Sequence, residues 1–396
     1  MARMLSTGKK KTVVGLDIEA GSVAAAEVSS NGHVAVTKFG DLALPSGVFR
    51  DGEVRDAAAL SEALKELFAK NKLSRSVRLG LASQRVAVRV LRLPAIDDRK
   101  ELQTAIRFQA QDLIPMPVDQ AVLDWQVVGH TPGGGGERML DVVVVAARRE
   151  AVRGLIAALR QAGLRPVGVD LSAFGMIRAL ANGTHSPVGT GAYVDAPGTA
   201  TPPDEDRIAE HLGGEGSAAA GSASEPESDG RPESARLYCS LGDVTNVAVA
   251  RGSACLFTRV CPFGLEGMAQ RLAERRQLTL EHARQWLGHV GLEAAVEGVE
   301  GDPEIVVAAR DSLSEGVSRL VDELRLTLEY YGAQDGAVPV DGVVVCGLGI
   351  TIPGLVERLQ HELAQRFEVV RPPALAHLDD ATAARLTVSY GLGLEE

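Results

Sequence analysis

The sequence predicts an α/β protein built from two halves of like design. Three observations carry this expectation. Residues 13–28, VVGLDIEAGSVAAAEV, read as a strand, a glycine-bearing turn and a second strand. Residues 236–250, RLYCSLGDVTNVAVA, repeat that device, and its recurrence in the second half weighs more than either copy alone. A third glycine-rich turn, Gly347-Leu348-Gly349, follows a strand at 342–345.

A chain of 396 residues exceeds what one compact domain usually holds. Aromatic residues make up only 4%, so Ala, Val, Leu and Gly do most of the core filling. The net charge of −11 argues against non-specific nucleic-acid binding. The four cysteines, Cys239, Cys255, Cys261 and Cys346, have no C-x-x-C spacing; three of them sit in apolar strand-like contexts, where buried reduced thiols are expected, as suits a cytosolic protein. Residues 1–11 lack the apolar run of a signal peptide. The strongest apolar run, 142–147, is far short of the ~20 residues of a membrane helix. The expectation is a protein that spans no membrane and can dock on one that does.

Taken in order, the first hairpin is followed by turn signals at Leu44-Pro45-Ser46-Gly47 and Asp51-Gly52. A helix is predicted over 57–70 from Leu60, Leu64, Leu67 and Phe68. Strands are predicted at 77–82 and 86–93, then a helix over 99–113 with Leu102, Ile106, Gln109 and Leu113 on one face, stopped by Pro115 and Pro117. Strands at 122–128 and 139–147 flank the glycines 133–136; a helix over 149–162 closes at Gly163, and a short strand at 167–170 leads into a helix over 171–181. Residues 183–235 are rich in Gly, Ser, Ala, Pro and Glu and read as a flexible insert. Beyond the second hairpin come a strand at 255–260, a mostly helical stretch over 265–290 with Thr279 at a cap, and a long amphipathic helix over 311–331. Pro353 is expected to open the next helix, and 384–393 to close the chain as strand and turn.

Asp17 falls where the first strand enters its turn, and the backbone N–H groups of Gly21, Ser22 and Val23 follow. Such a turn can cradle an anion, and a carboxylate beside a phosphate can hold its Mg²⁺; by itself the stretch reads first as a plain hairpin. In the second copy the corresponding turn residues are Gly242, Asp243, Thr245 and Asn246. The third turn is neither a dinucleotide fingerprint, since Ile352 stands where the third glycine would fall, nor a P-loop. Its glycines allow close approach of a ligand to backbone with a helix start behind; alone, it is also an ordinary strand–helix turn. The histidines lie near no metal-spaced cluster, and no G-x-S-x-G or H-E-x-x-H occurs. Arg85, Arg89 and Arg92 read as a solvated strand face.

Two phosphate-type hairpins and a later strand-to-helix turn, in this order, resemble the actin-like ATPase superfamily. The segments LALPSGVFRDGEV, VRLGLA, RVLRLPAIDDRKELQTAIRFQAQDLIPMPVDQAVLDWQVV, VVVVAARRE and QAGLRPVGVDLSAFGMIRAL look like the inserted subdomain of the PilM family of type IV pilus assembly proteins. SRLVDELRLTLEYY, CGLGITIPGL and ARLTVSYGLGL fit the same family. The resemblance implies an actin-like fold of two ribonuclease H-like halves, with a small α/β subdomain inserted in the first. It places the first core subdomain at 13–38 and 165–182, the insertion at 39–164, the second core subdomain at 236–264 and 332–396, and a helical subdomain at 265–331, with 1–12 a flexible tail. It further implies ATP as ligand, held by Asp17, Gly21, Ser22, Val23, Gly242, Thr245, Asn246, Glu323, Gly347, Leu348, Gly349 and Pro353, with Asp17 towards Mg²⁺.

This sequence departs from the family pattern at informative places. Glu19 replaces a glycine of the first hairpin, Ala24 stands where lysine is common, and Ser240 stands where the second hairpin usually carries aspartate. Losing that charge weakens metal binding and hydrolysis more than docking through backbone amides, so the expectation is a nucleotide binder with feeble or absent turnover; no catalytic residue is assigned. The resemblance also implies a partner, the N-terminal peptide of a PilN-like membrane protein, held in a groove walled by residues within 77–93 and 94–117. That partner would recruit the protein to the pilus platform at the inner face of the cell membrane; self-association is a further implication. A small-molecule kinase of the same superfamily, an FtsA-like cell-division protein and a scaffold that has lost nucleotide are the alternatives.

Overall fold

The computed structural model describes residues 12–29, 34–132, 138–181, 186–187, 234–334 and 336–394. The first half opens as an antiparallel meander of β1 (Thr12–Ile18), β2 (Ser22–Ser29) and β3 (Ala35–Ala43). Short strands β4 (Phe49–Arg50) and β5 (Glu53–Val54) pair with each other. Helix α1 (Ala57–Lys70) is capped by Asp56, whose carboxylate accepts the Ala58 and Ala59 N–H groups, and it buries Leu60, Leu64, Leu67 and Phe68 as its spacing predicts. β6 (Ser76–Leu81) runs parallel to β1.

A separate unit follows. β7 (Ala87–Pro94), α2 (Arg99–Leu113), β8 (Ala121–Pro132) and β9 (Arg138–Arg148) give an antiparallel sheet in the order β7-β9-β8. Leu102, Ile106 and Ala110 of α2 pack on Leu91, Leu93, Val142 and Val144 of that sheet. Helix α3 (Arg149–Gln161) and β10 (Arg165–Leu171) return the chain to the first sheet, whose order is β10-β6-β1-β2-β3; α4 (Ser172–Ala181) completes this half, and the short β11 (Ser186–Pro187) joins the sheet of the second.

The second half repeats the plan. β12 (Ala235–Leu241), β13 (Thr245–Arg251) and β14 (Ala254–Cys261) form the meander. Helices α5 (Leu265–Arg276), α6 (Leu280–Val290) and α7 (Pro303–Gly332) follow, then β15 (Val340–Cys346), α8 (Leu355–Leu363), β16 (Phe367–Arg371) and α9 (Asp380–Gly393). The sheet order is β11-β16-β15-β12-β13-β14, with β16, β15 and β12 parallel. Setting aside β11, each sheet thus has three parallel strands continued by two antiparallel ones.

One face of the second sheet packs on α5–α8, burying Leu237, Cys239, Leu241 and Val247. Its other face, with Tyr238, Ala248 and Cys346, shares a core with the first half through α4 and α9. α9 crosses β1, β2 and α4 closely: a Cβ at Gly15 would meet the Ser389 carbonyl, and one at Gly391 the Gly175 carbonyl. Arg78 of β6 donates to the Leu392 carbonyl at 3.2 Å.

Several expectations need correction. Residues 384–393 are the end of helix α9, started by the Asp379 carboxylate accepting the Thr382 N–H at 3.0 Å. The segment is buried all round, so it shows no helical period, and Thr387, Val388 and Tyr390 give it a strand-like composition. Pro353 does not open a helix: a single 3-10 turn covers Leu348–Thr351, and α8 starts at Leu355 behind Gly354, whose φ is +77°. The stretch over 265–290 is mostly helical as expected, with Thr279 capping a helix; the structure adds that two helices are parted at Gln277 in the left-handed region. The long helix begins at Pro303 rather than 311. On α2 the core takes Ala110, while Leu113 is exposed. β6 sits within the first sheet, so the segment outside both large sheets is narrower than 39–164. The tail and the 183–235 insert lie almost wholly outside the described residues.

Candidate functional site

The two hairpin turns meet. Asp17, near the end of β1, pairs across its hairpin with Ala24. Its carboxylate accepts a hydrogen bond of 2.8 Å from the hydroxyl of Ser172, the first residue of α4. Burial pushes the Asp17 carboxyl up to about 6, against the pull of that bond. The Glu19 N–H closes the turn on the Ser22 carbonyl at 2.9 Å, and the Glu19 side chain crosses to the second half.

There the Glu19 carboxylate lies against Gly242, where any Cβ would overlap it, and accepts the Asp243 N–H at 3.3 Å. Asp243 reaches back, its carboxylate accepting the Gly21 N–H at 2.7 Å. Burial holds the Glu19 carboxyl well above the usual range; the charges of Asp243 and Asp17 add to this, and the Asp243 N–H and Arg385 oppose it. Arg284 of α6 packs on Gly21, hydrogen-bonds Glu266 and lies 3.9 Å from Asp243.

Beside this contact is a narrow cleft, open to solvent. Asp17, Glu19, Ser172, Ser240 and Asn246 line it, together with Asp51 and Ser83 from loops before β5 and after β6. Among the described residues no lysine or arginine lines it.

The structure brings Asp17, Gly21, Gly242 and Asn246 of the expected site together. Ser22 and Val23 belong to β2, with Val23 paired to Ile18. Thr245 pairs with Leu241 and is fully buried; its hydroxyl, like the Asn246 side-chain oxygen, has no hydrogen-bond partner among the described residues. The third turn packs behind the second hairpin: a Cβ at Gly347 would lie 2.8 Å from the Leu241 carbonyl oxygen and 2.9 Å from the Ser240 Oγ, and one at Gly349 2.5 Å from the Leu241 Cβ. Leu348 opens the 3-10 turn behind them, and the Pro353 carbonyl accepts the Leu292 N–H at 2.6 Å. Glu323 lies on α7, ion-paired at 2.8 Å with Arg259 of β14. Neither the third turn nor Glu323 lines the cleft.

Sequence reasoning did not find Ser172 or Arg284. Ser172 had a usable signal, its place between the last parallel strand and the next helix. Arg284 had none, because its role depends on a contact with a turn in the other half.

A nucleoside triphosphate does not fit between the hairpins as they stand. The Gly21 amide already serves the Asp243 carboxylate, the surface of Gly242 is covered by Glu19, and buried carboxylates repel phosphate. Among the described residues no group of three His, Cys, Asp or Glu side chains is placed to hold a metal ion.

The family model described as type IV pilus assembly protein PilM matches residues 15–187. Among solved structures, a PilM–PilN type IV pilus biogenesis complex is 24% identical with a TM-score of 0.71, covering 97% of this chain and 98% of that one. The ethanolamine utilization protein EutJ of Carboxydothermus hydrogenoformans is 14% identical with a TM-score of 0.46, covering 98% and 91%. MreB5 of Spiroplasma citri bound to AMPPNP is 11% identical with a TM-score of 0.47, covering 97% and 95%. The pattern of the PilM family of type IV pilus assembly proteins thus runs through much of the first half of the chain, and the fold of the PilM–PilN structure is shared along its length.

Proposed function

We propose that the chain is a cytoplasmic scaffold of the type IV pilus inner-membrane platform, and that it holds the N-terminal peptide of a PilN-like membrane protein. The observation that carries this reading is apolar surface on the β7–β9–β8 unit, inside the family-matched segment. Val90 on β7 is 44% exposed, and Phe108 and Leu113 on α2 are 71% and 45% exposed. β7 is also the edge strand of its own sheet, the kind of edge that an added strand extends. The related complex of PilM with PilN supports the choice of partner. Among the described residues no helix is long and apolar enough to cross a membrane, which agrees with attachment through such a peptide.

ATP and Mg²⁺ stay outside this conclusion, because the turns that would take phosphate hold carboxylates. Kinase activity draws no support from a cleft whose second hairpin offers Ser240 in place of an acid. Calorimetric titration of the full chain with a synthetic PilN-type N-terminal peptide tests the scaffold reading. Saturable binding is expected, weakened about tenfold or more by Phe108→Asp or Val90→Asp. No binding, or binding indifferent to both substitutions, overturns it.

A further inference from the structure

The two halves share a plan, so each presents a turn with backbone N–H groups to the other. In this chain the turns serve one another. Glu19 leaves the first turn and covers Gly242, accepting the Asp243 N–H; Asp243 leaves the second and accepts the Gly21 N–H at 2.7 Å. The exchange is reciprocal, and each bond runs from a backbone amide to a carboxylate, the same chemistry that an amide offers a phosphate oxygen. Asp243 is shielded from water and Glu19 partly so, which strengthens the bonds. Arg284 lies over Gly21 and near Asp243, placing a positive group behind the turn.

We propose that Glu19 and Asp243 form a reciprocal latch that takes the place of nucleotide phosphate and keeps the halves closed, so that latch and nucleoside triphosphate compete for the same backbone amides. The latch stands on the hairpins alone and does not depend on the peptide reading. It gives a reason for the departure at Glu19: a glycine there leaves the Gly242 turn open, and glutamate fills it.

The test uses the full chain with two readouts. Hydrogen exchange reports the Gly21 and Asp243 amides without ligand, and calorimetry reports binding of ATP with and without Mg²⁺. In the parent chain both amides are expected to exchange slowly and ATP to bind weakly or not at all. Glu19→Gly with Asp243→Ala is expected to speed exchange at both positions and to raise ATP affinity by about tenfold or more, with protection restored by ATP. Should the double variant not fold, the single changes give the same comparison. Glu19→Gln, which keeps the shape and an acceptor oxygen, is expected to hold the Asp243 amide protected where Glu19→Gly does not. Tight ATP binding by the parent chain, or amide exchange unchanged by these substitutions, overturns the proposal.

Discussion

The two hairpins have the same backbone and opposite chemistry. At the end of its first strand, the first places a buried acid, Asp17, against the Ser172 hydroxyl. The second places Ser240 at its own strand end, with Cys346 hydrogen-bonded behind it. The first half, among its described residues, has no cysteine; the second packs Cys239, Cys255, Cys261 and Cys346 into its sheet. The charge absent at Ser240 reappears three residues on, at Asp243, and points at the other half instead of into its own strand end. A shared fold therefore fixes where amides and strand ends lie, while the choice of side chain decides whether those amides meet a ligand or each other.

The largest test of this contrast is Asp17→Asn. The folded state holds the Asp17 proton more tightly than the unfolded chain does, because burial raises the carboxyl from 3.8 to about 6. Stability therefore falls as pH rises through that window and stays reduced above it. The variant is expected to exceed the parent by about 3 kcal/mol near pH 8 in urea denaturation, and by nothing below about pH 3. A constant difference at all pH values counts against a buried charged acid here.

Next comes Gly242→Ala, expected to cost about 2 kcal/mol by driving Glu19 from its place, and markedly less in a Glu19→Gly background. Equal costs in the two backgrounds separate Glu19 from the second turn. Ser172→Ala removes the one hydroxyl that favours the Asp17 anion; a loss of about 1 kcal/mol near neutral pH is expected. That loss is absent when Asp17→Asn is already present. The smallest signal belongs to the thiols. Burial pushes Cys255 and Cys346 up to about 12 and Cys261 up to about 11, and holds Cys239 well above the ordinary thiol range. No reaction of the folded chain with a thiol reagent near pH 8 is expected, and all four should react on unfolding.

The fold was legible where glycine and hydrophobic period coincide. Both hairpins, the strand before Gly347 and helix α1 lie where the pattern puts them. The failures share a physical cause. α9 is buried on every side and carries no period, and the break at Gln277 rests on one residue's left-handed backbone. Ala35–Ala43 and Phe367–Arg371 drew no strand prediction at all; only part of each strand is buried, so neither carries a clear apolar pattern. The site was legible as residue types. Glu19 and Asp243 both stood out as acids near glycine turns, but their bond joins positions 224 apart, and nothing local states which way either side chain points.

The crossing of α9 over β1, β2 and α4 has a consequence for dissection of the molecule. The helix that ends the second half is part of the wall of the first, seated where Gly15 and Gly175 leave no room for a methyl group. Split between α4 and β12, the two fragments would each be incomplete: one with an uncovered sheet, the other with a sticky helix and nowhere to put it. Complementation by paired fragments, rather than study of isolated halves, is the experiment this architecture permits.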